Sequence, residues 1–154
     1  MSSLPHPGSS SETQPVSKEW RLLLLAWLIS LSATLGALFI GEVLGQAPCQ
    51  LCWYQRIAMF PLAVILGIAC FTNDGNVWRY GLPLAAIGGL VALWHSLLYA
   101  GIIPETIQPC SQTGPSCTSA DMTLFGIVPL PYLSFLSFLS VVILLILSRR
   151  KDPR

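Results

Sequence analysis

Four long apolar runs constrain this chain more than any other feature. They cover residues 22–44, 57–71, 80–103 and 124–147. Crossing the hydrocarbon core of a bilayer takes about 20 helical residues, with a range of roughly 17–25. The first, third and fourth runs meet that length unaided. The second meets it if its helix begins near Leu51 and takes in Trp53 and Tyr54, whose amphipathic rings suit the headgroup level. Inside lipid every backbone N–H and C=O must find a partner within the protein, so the spans, at about 22–44, 51–71, 80–103 and 124–147, are predicted to be helices. Joined by short connections, they give an all-α membrane protein, a four-transmembrane-helix antiparallel bundle. Composition agrees. Only 10% of the 154 residues are charged, where a soluble domain carries about 25%.

The basic residues orient the bundle. With both termini cytoplasmic, the inner side holds Lys18, Arg21, Arg79, Arg149, Arg150, Lys151 and Arg154, and the outer side holds Arg56 alone. This is a positive-inside distribution. It divides the chain into a disordered cytoplasmic tail at 1–17, a transmembrane domain at 18–148 with outer loops at 45–56 and 104–123, and a basic cytoplasmic tail at 149–154. The first run is longer than the apolar core of a cleaved signal peptide, which spans about 7–15 residues. The net charge of +1 says nothing about nucleic acid, but no basic aromatic patch exists, and no nucleic-acid partner is expected.

Both cysteine pairs fall in the predicted outer loops. Cys49 and Cys52 form a Cys-x-x-Cys motif after Pro48, where the second span begins. A thiolate is favoured by a helix N-terminus, a neighbouring cation and a second cysteine at this spacing, and all three converge here. Arg56 follows Cys52 by four residues, on the same helical face one turn deeper. An arginine at that depth needs a partner, which a Cys52 thiolate or an electron-rich ligand beside it would supply. Glu42 either reaches water or pairs with Arg56. Gly41-x-x-x-Gly45 reads as packing, as do Gly88 and Gly89 in the third span. His95 lies in the outer third of that span, at a depth close to Arg56, which favours one ligand pocket shared by the two. Cys110 and Cys117 enclose a Gly114-Pro115 turn able to bring their sulfurs together. Structural disulfides, or a zinc site built from the loop cysteines, are the competing readings of the same residues. Cys70, at the inner end of the second span, is assigned no role.

Taken together, Gly41-Glu42-Val43-Leu44, the run from Pro48 to Arg56, and the later Cys110/Cys117 pair resemble the disulfide bond formation protein B family (DsbB), and within it the shorter BdbC-type members. The resemblance covers nearly all of the chain after the tail. It implies a quinone-dependent protein-disulfide oxidoreductase in a bacterial cytoplasmic membrane, which recharges a thioredoxin-fold DsbA- or BdbD-like thiol oxidase. Ubiquinone and menaquinone are not distinguished by it. By residue match, Cys49, Cys52, Cys110 and Cys117 are the catalytic cysteines, and Arg56 and His95 bind the quinone; no metal is implied. The donor would attack the Cys110–Cys117 disulfide at Cys110, Cys117 would engage Cys49, and Cys52 would be left as the thiolate facing the quinone. One departure stands out: only six residues separate Cys110 from Cys117, fewer than in the longer family members. Vitamin K epoxide reductase-like proteins share the plan but place their loop cysteines before the Cys-x-x-Cys, the reverse of the order here. The alternative from another class is a zinc-binding or structural membrane protein with disulfide-clipped outer loops.

Overall fold

The computed structural model describes residues 17–103, 117, 123–124 and 128–149. Both predicted tails beyond those limits, and Cys110 with most of the 104–123 loop, lie outside the described residues. The chain forms four long helices. Helix α1 (Lys18–Leu38) starts at Ser17, whose hydroxyl accepts the Trp20 N–H at 3.3 Å, an ordinary N-cap that satisfies one orphan donor. It continues into a π-helical turn at Phe39–Val43. Helix α2 (Gln50–Thr72) ends at Asn73, which takes the left-handed conformation with φ 57°, a usual helix stop. Helix α3 spans Trp78–Tyr99 and helix α4 spans Leu130–Ser148. All four are long and apolar enough to cross a membrane.

The second span was located to within a residue at either end; the other three differ at their ends. The first helical segment begins at Lys18, a turn before residue 22, because the Ser17 cap recruits the polar Lys18 and Glu19 into the helix. The third ends at Tyr99 and not at 103. Gly101, at φ +71°, turns the chain away, and its N–H and that of Ile102 close on the carbonyls of Leu98 and Leu97. The fourth starts six residues later than 124. Thr123–Leu124 and Val128–Pro129 pair instead as a two-residue antiparallel hairpin, β1 and β2. Pro129 is extended, and Pro131 occupies the first turn of α4. A proline lacks the N–H that an interior position needs, yet costs nothing in a first turn. These prolines therefore start the helix.

Helices consecutive in sequence pack on one another, and α1 closes on α4 to the same extent, so the four form a ring. In lipid the attraction between helices comes from close packing, because the tails are as apolar as leucine. The core shows it. Leu62 and Leu66 of α2, Ala85 and Ala92 of α3, and Phe138, Val141 and Leu145 of α4 are almost completely buried. Gly88 admits the Phe138 ring: a Cβ there would overlap that ring and approach Ala58 Cβ to 2.9 Å. Gly67 does the same for Trp27, whose Nε1 would be 2.8 Å from an added Cβ. Leucine, isoleucine and valine side chains such as Leu90, Val64 and Ile57 cover the outside, as expected of a lipid-facing surface.

The antiparallel order gathers Glu19, Trp20, the 73–77 turn and Ser148 at one end of the bundle. The opposite end brings together Cys49, His95 and Cys117. Among the described basic residues, Lys18, Arg21, Arg79 and Arg149 belong to the first end and Arg56 alone to the second.

Candidate active site

The Cys-x-x-Cys motif is built into the start of α2. Cys49 is the N-cap, extended at φ −68° and ψ 169°, and its sulfur accepts the Cys52 N–H at 3.3 Å. The first orphan donors of the helix therefore point at sulfur, and the helix dipole favours negative charge there. Cys49 and Cys52 are free thiols with their sulfurs 2.7 Å apart. Cys49 is fully buried while Cys52 is half-buried. The hydrogen bond to Cys52, and secondarily burial, push the Cys49 thiol well above its ordinary range.

Cys117 is disulfide-bonded and fully buried. It packs in one cluster with Cys49, Leu51 and Leu98, against which Cys52 also lies. The short second loop thus delivers Cys117 to the Cys-x-x-Cys. His95 joins the two segments: its Nε2 lies 3.2 Å from the Cys117 carbonyl oxygen and 3.9 Å from Cys49 Sγ. Its Nδ1 lies 3.0 Å from Gln55 Nε2, and Gln55 Oε1 accepts the Ser134 hydroxyl at 2.5 Å. His95 is 1% exposed and Gln55 6%. A buried polar group left without a partner costs about 1–3 kcal/mol, and this chain of bonds avoids that for both.

Arg56 turns the other way. Its Nη2 donates to the Ala37 carbonyl in the last turn of α1 at 2.7 Å, and its guanidinium lies 5.6 Å from the centre of the Trp53 ring. The π-helical turn that follows widens the backbone ladder; there Gly41 faces the guanidinium, and a Cβ on it would stand 3.2 and 3.3 Å from the two terminal nitrogens. Arg56 follows Cys52 by four residues along α2, one helical turn away. The partner expected for Arg56 was a sulfur, a ligand or Glu42. The structure supplies a backbone carbonyl, and Glu42 is exposed. Gly41 is less a packing glycine than the space that admits a cation, and Gly45 holds a left-handed φ of +67°.

Of the six residues singled out by sequence, Cys49, Cys52, Cys117 and His95 meet at one place. Arg56 stands beside them on the face of α2 toward α1, and Cys110 lies outside the described residues. The shared Arg56–His95 pocket takes a different form: His95 engages Cys49 and Gln55, while Arg56 engages α1. Gln55 and Ser134 were not foreseen. The signal for Gln55 was positional: it falls on the buried stripe Leu51, Gln55, Ala58, Leu62, where a polar residue needs a polar partner. Ser134 carries no comparable mark among the serines of α4.

The family model for disulfide bond formation protein DsbB matches residues 19–148. The chain belongs to the DsbB family. A "Probable disulfide formation protein" of Metapseudomonas resinovorans is 62% identical over 138 residues, covering 90% of this chain and 96% of that protein. "Disulfide bond formation protein C" of Bacillus subtilis (strain 168) is 38% identical over 127 residues, covering 82% and 91%. A "Probable disulfide formation protein" of Coxiella burnetii (strain RSA 493 / Nine Mile phase I) is 38% identical over 128 residues, covering 82% and 86%. No solved structure matches the chain. Membership in the DsbB family, together with four spans, makes this a multi-pass membrane oxidoreductase of disulfide bond formation.

Proposed function

We propose that the protein reoxidises a thioredoxin-fold disulfide donor outside the cytoplasmic membrane and delivers the electrons to a membrane quinone. The observation that carries this reading is the burial of Cys117, disulfide-bonded, in one cluster with the free Cys49 and beside Cys52. Thiol–disulfide exchange needs an attacking thiolate next to a disulfide sulfur, and the packing of Cys117 against Cys49 and Cys52 supports such an exchange. The positive-inside distribution of Lys and Arg supports placing that site on the outer face.

The cycle balances on the chain's own sulfurs. A donor thiolate attacks Cys110, breaks the Cys110–Cys117 bond and releases the Cys117 thiolate. The donor's second thiol resolves the mixed disulfide, so the donor leaves oxidised and Cys110 leaves reduced. Cys117 attacks Cys49 of an oxidised Cys49–Cys52 pair and expels Cys52 as thiolate. Cys110 then displaces Cys49 from Cys117, which restores the loop disulfide and leaves Cys49 and Cys52 reduced. Two electrons have crossed from one pair to the other. Free Cys49 and Cys52 beside a disulfide-bonded Cys117 match the end of this sequence. The two sulfurs lie 2.7 Å apart, and Arg56 stands one helical turn beyond Cys52, so a thiolate left at Cys52 would lie beside a cation.

A bound quinone supplies a two-electron, two-proton acceptor. One is required because a DsbA-like donor has a potential of about −120 mV, so its oxidation by ordinary disulfides is uphill. The residues fit such a headgroup. Arg56 offers a cation in a cradle that a Cβ on Gly41 would fill. Cys52 is half-buried, one helical turn away, and Trp53 and Tyr54 are exposed on the lipid side. Arg56 would stabilise negative charge on the ring oxygens and on Cys52.

Stopped-flow mixing of purified protein, reduced donor and quinone tests the reading. Cys52→Ser is expected to abolish quinone reduction, and Cys110→Ser to block donor oxidation. Arg56→His is expected mainly to raise the KM for quinone; unchanged quinone kinetics in that variant would remove Arg56 from the site. A second reading, metal binding, has one observation in its favour: ligand atoms of Cys49, Cys52 and His95 lie within 4.8 Å of one another. Stoichiometric zinc in the purified protein, with thiols that donor and quinone leave unchanged, would favour it.

A further inference from the structure

The hydrogen bonds around His95 leave one assignment of its proton. The Ser134 hydroxyl occupies Gln55 Oε1, which turns the Gln55 amide nitrogen toward His95 Nδ1 at 3.0 Å. An amide nitrogen can only donate, so Nδ1 must present its lone pair. On the other side of the ring, Nε2 faces the Cys117 carbonyl at 3.2 Å. A carbonyl can only accept, so Nε2 must carry the hydrogen. The two ends of the ring, read independently, give the same tautomer.

We propose that Gln55 and Ser134 are positioning residues that hold His95 as the Nε2–H tautomer, making the imidazole a hydrogen-bond donor that clamps the Cys117 backbone against the Cys49 sulfur. This rests on the exchange between the two cysteine pairs proposed above, and it gives the histidine a role in that exchange. A ring whose Nε2 already carries hydrogen cannot take the Cys49 proton as a base. It can donate toward Cys49 Sγ, 3.9 Å away, when negative charge develops there as a disulfide bond to Cys49 breaks. It also cannot ligate a metal through Nε2 while Gln55 holds Nδ1 as the acceptor, so the same contact disfavours ion capture by the reduced pair. Hydrogen-bond partners on the far ring nitrogen fix the tautomers of metal-ligating histidines in this way; here the beneficiary is sulfur chemistry.

The experiment uses full-length protein labelled with ¹⁵N-histidine. His6 is the second histidine in the chain, and a His6→Ala background leaves the His95 signals alone. Two-bond ¹⁵N–¹H correlations are expected to show Nε2–H in the parent. In Gln55→Glu the hydrogen is expected to move to Nδ1, because the introduced carboxylate offers only acceptors there. Ser134→Ala is expected to populate both tautomers, and Ser134→Thr, which keeps the hydroxyl, to restore the parent pattern. Acid-quenched single turnovers with reduced donor read the transfer between the two pairs; it is expected to slow about ten- to hundredfold in Gln55→Glu, the range seen for outer-shell partners of ligating histidines. Ser134→Thr is expected to exchange at the parent rate. Nδ1–H in the parent, or a pattern unmoved by Gln55→Glu, overturns the assignment. Unchanged exchange between the pairs in a Gln55→Glu protein whose tautomer has moved overturns the role. Failure of the protein to reduce quinone, with the parent tautomer as expected, would instead count against the quinone reading alone.

Discussion

The two ends of the bundle use polar residues in opposite ways. At the end where α1 begins and α4 finishes, polar contacts tie elements together. Trp20 Nε1 donates to the Cys70 carbonyl at 3.1 Å, and Asp74 accepts the Asn76 N–H at 2.8 Å and the Tyr80 hydroxyl at 2.5 Å. Arg149 and Arg79 flank the Trp78 ring at 4.2 and 5.7 Å. None of these contacts reaches a free pair of thiols. At the cysteine end, Gln55 and His95 are buried, Arg56 is drawn onto a helix carbonyl, and the backbone ladder is widened by a π-helical turn. Burying polar groups is expensive unless every donor and acceptor is matched. An end that pays this cost beside three cysteines is organised for chemistry, whereas the other end is organised for assembly.

The contrast predicts that substitutions at the cysteine end change turnover with little change in stability, and that those elsewhere do the reverse. The largest effect is expected from Cys49→Ser: donor-driven quinone reduction falls to background, while the thermal midpoint in detergent stays within the few degrees that about 1 kcal/mol produces. A large fall in midpoint would show that Cys49 is chiefly structural. Next comes Gly41→Leu, whose side chain displaces the Arg56 guanidinium; the KM for quinone should rise about tenfold or more, equivalent to at least about 1.4 kcal/mol, with donor oxidation in a single turnover unaffected. In the core between the ends, Gly88→Val should lower stability by about 1–3 kcal/mol, the usual cost of overpacking, because its side chain meets Phe138 and Ala58; an unchanged unfolding midpoint would refute that packing.

The smallest effect is expected at Asp74. The Tyr80 hydroxyl, and then the Asn76 N–H, hold its carboxyl below the usual carboxylate range. A depressed folded-state pKa adds stability above the unfolded value, about 3.9, and that stability is lost as pH falls through the lowered value. The group is largely exposed to solvent, so Asp74→Asn should cost at most about 1 kcal/mol at neutral pH and flatten the acid limb of the stability profile. Quinone reduction should be untouched; a change in turnover would break the division between the ends.

The sequence made the architecture readable because lipid leaves few choices: three apolar runs of sufficient length, and a fourth once Leu51, Trp53 and Tyr54 are taken in, must each pair their own backbone and are read as helices. The start of the fourth helix was less readable, since hydropathy continues through 124–129 while Pro129 and Pro131 impose the start of α4. In the site, Cys49, Cys52 and Arg56 were legible because their chemistry depends on local spacing along one helix. The His95 contacts were not, since they depend on Gln55 from α2, Ser134 from α4 and a backbone carbonyl from the second loop. A π-helical turn leaves no mark in composition, so the reason for Gly41 emerged only with the position of Arg56.

Everything proposed for this protein depends on Cys117 reaching Cys49 directly. A Cys52→Ser/Cys110→Ser double variant removes the competing partner of each and leaves those two sulfurs together. Under mild oxidation, peptide mapping of the full-length protein should find a Cys49–Cys117 disulfide in nearly all molecules, insensitive to protein concentration. Two thiols that remain free, or that cross-link only between molecules, would contradict it.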